Sequence, residues 1–526
     1  LVDQTLISLL AYLGLVGAAS LLAPRLRLPA PVLLAIAGIA WGLVPGLALP
    51  VVDPHVILAV FLPPLLYAEA WRSSWHDFRR WMRPILSLAI GLVAFTILCV
   101  GYASKQLVPE LPWAVCFLIG AIVSPTDTVA VHSVLRRMRV PRRAMAITGG
   151  ESLVNDATGL LGVQLALIVI FTGIFEASEI ATHFLRIAAL GILCGIGVGF
   201  LAIFINRRVR GTAVLFVFSL FSPYLAFALA EWAGASGILA VVVAGFVVSW
   251  RIDLIPAESR VDLTGDWDVL TFLLNGMMFL YVGVETPRLL TENATLMPFL
   301  LLIGLAIAAV VMVARLVWIW PAAYLPLWMF PGLRRREGGY PDPRAVLLVA
   351  WCGVRGAVSL AAALSIPPTL PTGEAFPGRP IIEAVVLVTI LLTLIGQGAT
   401  LEPLARWLRL PRDPSTEDEM RKAREAMLAA GIARLDAFCS ERSCPVAVHR
   451  YRDVMVDRLA ELREIEESKR RHATRRLEVS REVRRAVWKA QSDELLRLRD
   501  AEGINDRDHQ DLQLEIDREH TDLLTA

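Results

Sequence analysis

The chain has 526 residues, 56% of them hydrophobic, and a mean hydropathy of +0.58. A chain this apolar is not a soluble enzyme; it reads as a polytopic membrane protein. The formal net charge of +2 says little by itself, because the charged residues are strongly segregated along the chain, and no nucleic-acid partner is expected.

Thirteen apolar segments can be marked, at about 4–23, 30–49, 55–71, 84–106, 112–135, 143–172, 181–205, 211–232, 236–250, 266–285, 295–325, 344–366 and 381–404. The first follows Asp3 rather than a basic stretch and lacks a small-residue cleavage site, so it is expected to span rather than to be removed. Pro63-Pro64 should kink the third. The fifth is interrupted by Ser124-Pro125-Thr126-Asp127 and the twelfth by Gly353-Val354-Arg355-Gly356. The two breaks lie seven segments apart, an odd number, which predicts repeats inverted across the membrane. Paired interrupted segments point to a transporter's substrate site.

Loop charges set the orientation. Loops after the odd-numbered segments carry about twenty Lys and Arg, whereas the alternate loops carry about three: Lys105, Arg288 and Arg379. The odd loops are therefore expected in the cytoplasm of a cell-membrane protein, with the N-terminus outside and the C-terminal tail inside. From about Pro411 the composition changes, and the last 116 residues hold about 49 charged ones of mixed sign. Leu459, Leu462, Ile465 and Leu477 recur at helical spacing, as expected of soluble cytoplasmic helices, a short hairpin or a coiled coil. Such a tail could bind a regulatory ligand or self-associate, and Lys469-Arg470-Arg471 could touch anionic membrane lipid.

The sixth segment holds the chemistry: Gly149-Gly150-Glu151-Ser152-Leu153-Val154-Asn155-Asp156-Ala157-Thr158-Gly159. Ionisable groups at membrane depth are expensive and mark ion or proton paths. Burial disfavours a bare carboxylate, so either a proton or a small hard cation will neutralise Asp156, and the two compete for one place. Ser152, Thr126 and carbonyls freed at the fifth-segment break can replace a cation's water. Asp127 follows the break; it either binds cargo or neutralises the start of the next half-helix. Glu151 needs a buried cation, and Arg355 is the expected partner. Arg315 is expected to serve a helix end or carbonyls. Glu69 either lines an access funnel or sits in headgroup water. His132 is expected to be unremarkable.

Ser124-Pro125-Thr126-Asp127, Glu151-Ser152-Leu153-Val154-Asn155-Asp156 and Gly353-Val354-Arg355-Gly356-Ala357 occur in order. Together they resemble the sodium/proton exchangers of the monovalent cation:proton antiporter-1 group, over about residues 5–410. The resemblance implies a homodimer of thirteen-helix protomers. Each would have dimerisation helices at about 4–71 and 211–285, a linker helix at 181–205, and a mobile core at 84–172 and 295–404. Helices five and twelve would be broken and cross. The family's ion-binding aspartate matches Asp156, its unwound Thr-Asp pair Thr126 and Asp127, its serine Ser152, and its bracing Glu–Arg pair Glu151 and Arg355. Asn155 beside Asp156 goes with electroneutral exchange of one cation per proton. One departure stands in helix three, where the acid of many members follows Leu-Leu-Phe directly; here Glu69 comes one residue later, after Tyr67-Ala68.

The expected fold is an all-α polytopic membrane protein with inverted repeats, a membrane domain at 1–410 and a charged helical tail at 411–526. The expected function is secondary antiport of Na⁺ or Li⁺ against H⁺, serving pH homeostasis, with no enzyme activity and no cofactor beyond the transported ions. K⁺/H⁺ exchange is the alternative among transporters. A channel would need a filter sequence, which is not visible. An intramembrane aspartyl protease would need Tyr-Asp or Gly-x-Gly-Asp contexts, which neither Asp127 nor Asp156 has.

Overall fold

The computed structural model describes residues 2–26, 28–44, 57–127, 131–132, 134–135, 138, 140–173, 177–209, 211–255, 257–292, 296–410, 414–441 and 446–468, with 489 and 497 beyond them. The chain divides into two compact units, Leu1–Arg412 and Asp413–Ala526. The described residues are overwhelmingly helical, and the only β pairing among them is an isolated bridge between Thr369 and Ala375.

The first unit contains α1 (Val2–Leu26), α2 (Ala30–Gly42), α3 (Leu62–Arg72), α4 (Trp75–Arg80), α5 (Met82–Leu107), α6 (Trp113–Val123), α7 (Arg142–Thr172) and α8 (Ala177–Asn206). It continues with α9 (Thr212–Trp232), α10 (Gly237–Trp250), α11 (Ala257–Glu292), α12 (Met297–Met329), α13 (Pro331–Arg336), α14 (Pro343–Trp351), α15 (Ala357–Leu364) and α16 (Arg379–Leu408). Each of the thirteen apolar segments contains helix. Among the described residues, seven helices are long and apolar enough to cross a membrane, and shorter apolar helices lie among them. Their outer faces leave Leu185, Leu193, Val217 and Phe221 exposed. Apolar side chains turned outward on this scale suit lipid, not water. The chain is an all-α, multi-pass membrane protein.

Local chemistry sets the ends. Pro141 precedes α7, and Gly173 ends it in a left-handed conformation with φ 69°, its N–H bonded to the Val169 carbonyl at 2.9 Å. At α14, the Asp342 carboxylate accepts the Arg344 N–H at 2.8 Å and Pro343 takes the first turn, where a missing N–H does no harm. The third segment is irregular at the expected place: a π-turn at Ile57–Phe61 runs directly into α3, whose first turn holds Pro63 and Pro64. The prolines lack the N–H that regular helical bonding would use there.

The fifth segment is helical to Val123, irregular at 124–127, and helical again at 131–132 and 134–135. Residues 128–130, where the second half-helix was expected to begin, lie outside the described ones. The twelfth divides into α14 and α15 with 352–356 irregular between them. The breaks meet, because the Asp127 N–H donates to the Val354 carbonyl at 2.7 Å.

Helices α1, α2 and α11 pack together, as do α9, α10 and α3; α5, α6 and α7 pack together, and α12 joins α5 to α16. The approach of α2 to α11 is set by glycine. A Cβ on Gly38 would lie 2.3 Å from the Leu280 carbonyl oxygen, and one on Gly283 would lie 2.2 Å from that of Ala35.

The second unit holds α17 (Pro414–Glu441) and α18 (Val446–Ser468), which pack as a helical hairpin. Met455 lies against Gly431, and Arg452 bridges Asp436 at 2.6 Å. That bridge is largely exposed and adds little stability. Leu477 and the cluster Lys469-Arg470-Arg471 lie outside the described residues.

The glycine contact yields a stability prediction. Gly283→Val should destabilise the detergent-solubilised protein by about 1–3 kcal/mol, through overpacking against rigid backbone. Gly265→Ala on the same helix, where nothing lies within 4 Å, should leave the melting midpoint unchanged or slightly raised. Equal midpoints for the two variants would refute the packing account.

Candidate functional site

Helix α7 carries Glu151, Ser152, Asn155 and Asp156 deep in the unit; their exposures are 1%, 2%, 1% and 7%. Three- and four-residue spacing places Ser152 and Asp156 on one strip of the helix, with Glu151 and Asn155 on the next. The two strips meet different neighbours.

Glu151 turns to Arg315 on α12, whose guanidinium grips both carboxylate oxygens, Nη2 meeting Oε2 at 2.9 Å. This corrects the expected pairing with Arg355. Arg315 is itself 1% exposed, and its remaining donors reach the Ala350 carbonyl at 3.1 Å and the Val349 carbonyl at 3.0 Å. Those carbonyls lie in the last turn of α14, where backbone donors run out; Val349 also accepts the Cys352 N–H at 3.2 Å. One arginine thus neutralises a carboxylate and a helix C-terminus together.

Arg355 does the matching work for the other broken segment. Its Nε donates to the Val123 carbonyl at 2.9 Å, at the end of α6, and its Nη1 donates to the Gly353 carbonyl. Its backbone N–H is held by Thr393 Oγ1 at 3.1 Å. Charge of the opposite sign sits at α15. A Cβ on Gly356, the residue preceding that helix, would lie 2.2 Å from Asp127 Oδ2, so the carboxylate occupies the space above a half-helix N-terminus. Glycine is needed there because any side chain would displace Asp127. Asp127 thus lies at the N-terminus of the twelfth segment's second half-helix.

The strip that carries Ser152 and Asp156 lines a cavity of about 530 Å³. Asp156, Ser152, Thr126 and Asp127 contribute to its wall, and Glu69 on α3 contributes from another side. Glu69 and Asp127 are close enough to act electrostatically on Asp156. Glu69 is thus a cavity residue, half-buried, and its one-residue offset along the chain does not remove it. Helix α11 adds Asn275 to the wall, and α15 adds Ala357, Val358 and Ser359. At one end the lining consists of Arg72, Ser74, Asp77 and Arg142, where α3, α4 and α7 reach the surface. Beyond Asp156 along α7, Gly159 lies against Pro125 so closely that a Cβ would sit 2.5 Å from its ring.

Hydrogen bonds tie α7 to the break. Ser152 Oγ donates to the Thr126 carbonyl at 2.8 Å, and Asn155 Nδ2 donates to Thr126 Oγ1 at 2.6 Å. Ser152 keeps its oxygen lone pairs for a ligand, and the broken strand is fixed in register beside Asp156. His132, expected to be unremarkable, also lines the cavity, 3.4 Å from Thr148 Oγ1. Its place after the break was the available signal. Asn275 and Ser359 had no flag in the sequence beyond lying one helical turn from other lining residues.

The pairing predicts a double-mutant result. Arg315→Met alone should lower stability by about 3–5 kcal/mol, because Glu151 is left buried and unpaired, and adding Glu151→Gln should recover much of that loss. Melting midpoints of the purified variants read this. Stronger coupling of Glu151 to Arg355 than to Arg315 would contradict the assignment.

Comparison with known proteins adds to this geometry. Residues 7–407 match the family model described as sodium/hydrogen exchanger, transmembrane. An uncharacterised Na⁺/H⁺ exchanger of Mycobacterium tuberculosis is 32% identical over 99% of this chain and 96% of its own length. A sodium, potassium, lithium and rubidium/H⁺ antiporter of Bacillus pumilus is 29% identical over 88% of this chain and 69% of its own. The solved sodium proton antiporter MjNhaP1 of Methanocaldococcus jannaschii is 20% identical, covers 77% of this chain and 99% of its own, and superposes with a TM-score of 0.58, a likeness of fold.

Proposed function

The chain belongs to the sodium/hydrogen exchanger family, and from that premise we propose how its cavity exchanges ions. It is a secondary active cation:proton antiporter of the monovalent cation:proton antiporter-1 type, a transporter family and not an enzyme one. The observation that carries the mechanism is a buried Asp156 reached by a charged cavity and surrounded by hydroxyl, carbonyl and carboxylate oxygens.

Asp156 carries the exchanged ion. Deprotonated, it binds the cation with help from Ser152, Thr126 and Asp127; protonated, it needs none. Desolvation makes the empty anionic site the state least able to cross the membrane, so movement follows occupation by one ion or the other. That selection is what couples the two fluxes. Asn155 spends its amide on Thr126 instead of adding a second titrating carboxylate, which supports electroneutral exchange of one cation per proton. Na⁺ is the proposed cargo, with Li⁺ accompanying it. The named breadth of the Bacillus pumilus relative keeps K⁺ as the second reading.

The cavity ends among Arg72, Asp77 and Arg142, in loops that are rich in arginine. By the loop-charge rule that end is cytoplasmic, so the conformation is inward-open, with the N-terminus outside and the tail inside. Helices α5–α7 and α12–α16 form the moving core, α1–α3 and α9–α11 the dimerisation side of a homodimer, and α8 the linker. Glu69 and Asn275 then face the core across the sliding boundary, and Glu69 sits in the access funnel. The tail hairpin provides regulation or self-association.

The test is Asp156→Asn in proteoliposomes. Cation-dependent proton flux should fall to the level of empty vesicles, while folding and melting are retained. Wild-type exchange should keep its rate when the membrane potential is clamped at different values. Normal exchange by the variant would sink the role of Asp156, and a potential-dependent rate would sink the one-to-one stoichiometry.

A further inference from the structure

We infer that Ser359, on the second broken segment, is a further cation ligand of this cavity and tunes which monovalent cation it accepts. The inference rests on the antiport reading above and extends its ligand set. Ser359 lies three residues after Gly356, so it shares the face of α15 on which the Asp127 carboxylate sits. It lines the same cavity as Asp156, Asp127, Thr126 and Ser152. Yet the residue is 2% exposed, and its Oγ has no hydrogen-bond partner among the described residues.

A helical hydroxyl usually avoids that condition by donating to the carbonyl four residues back. Thr148 does so to Ala144, and Thr158 to Val154, both at 2.9 Å. For Ser359 the corresponding residue is Arg355, which stands in the irregular stretch before α15 and not in a helical turn. The break therefore removes the usual acceptor, and the hydroxyl is left for whatever occupies the cavity.

The other hydroxyls near Asp156 each make a hydrogen bond to the protein and still keep a lone pair for a cation. Ser152 has given its proton to the Thr126 carbonyl, and Thr126 accepts from Asn155. A small alkali cation needs several oxygen donors, and donor number and cavity size set its preference among ions. Ser359 supplies a further neutral donor, from α15 and not from α7. Because it is neutral, it strengthens cation binding without adding a charge that would alter the charge balance of exchange.

The experiment compares wild type, Ser359→Ala and Ser359→Thr as full-length protein in proteoliposomes, using Na⁺, Li⁺ and K⁺ separately. Ser359→Ala should raise the Na⁺ KM about three- to ten-fold, the loss of one good polar contact. Its maximal rate should stay within about two-fold of wild type, and the ratio of Na⁺ to K⁺ preference should change. Ser359→Thr keeps the hydroxyl and should keep the wild-type KM. Unchanged KM values for all three cations in Ser359→Ala overturn the assignment. So does a raised KM that Ser359→Thr shares in full, since packing would then be the cause. A wild type that exchanges none of the three cations for protons overturns the antiport reading itself, a result that an inert Ser359→Ala does not produce.

Discussion

Broken helices in a membrane need something to satisfy their ends, and that constraint organises this protein. Two segments stop inside the unit, at Val123 and at Trp351, and their last turns hold carbonyls that the helix itself no longer fully satisfies. Water is not available to them as it is at a surface. Arg355 answers for Val123, and Arg315 answers for Val349 and Ala350. At the start of α15 the dipole has the opposite sign, and Asp127 lies against it. The assignments are exchanged between segments: the twelfth supplies the cation for the fifth, and the fifth supplies the anion for the twelfth. Neither break is satisfied alone, so the two must form together.

That exchange explains why Glu151 sits where it does. Two buried arginines serving carbonyl groups leave an excess of positive charge near the crossing. Glu151 grips Arg315 and removes part of that excess. Removing either member leaves a charge that the interior cannot solvate, a larger loss than the pair's own net contribution. The scaffold charges are thus mutually committed. Asp156 lies on the other strip of the same helix and faces the cavity, where its neutralisation can change during transport.

Much of this was legible in the sequence because membrane depth makes polarity expensive. Thirteen apolar segments, the alternation of arginines between loops, and the interruptions at Ser124–Asp127 and Gly353–Gly356 all follow from that expense. The spacing of Glu151, Ser152, Asn155 and Asp156 gave two strips of one helix. Partner choice was not legible. Arg355 was the expected partner of Glu151, and Arg315 was assigned to a helix end or carbonyls; only packing shows that Arg315 reaches both. The carbonyls at Val349 and Ala350 fix the choice, and backbone acceptors leave no mark in a list of side chains. Pro63-Pro64 was legible as an irregularity of the third segment, and the π-turn at Ile57–Phe61 directly before the prolines is the form it takes. Glu69 was ambiguous because a position near a segment end does not say whether the residue faces headgroups or a cavity.

The division of the cavity wall bears on how the proposed cycle can work. Thr126, Asp127, Ser152, Asp156 and Ser359 come from segments joined by the crossing breaks, whereas Glu69 and Asn275 come from α3 and α11. The first group is cross-linked by Ser152 and Asn155 to Thr126, and by Asp127 to Val354. It can move as one body without losing those bonds. Where the cavity reaches the surface the ion pair is of another kind: Arg142 on α7 meets Asp77 on α4 at 2.9 Å, with Arg142 exposed. Exposed pairs break cheaply, because water replaces the lost partner. A sliding motion would leave the buried charges of the crossing intact while the apolar packing of α10 and α11 against α7 and α15 shifts. The alternative, rearranging the crossing itself, would strip Arg315 or Arg355 of its carbonyls inside the membrane. The energetic ordering favours a rigid crossing that carries Asp156 past a stationary Glu69.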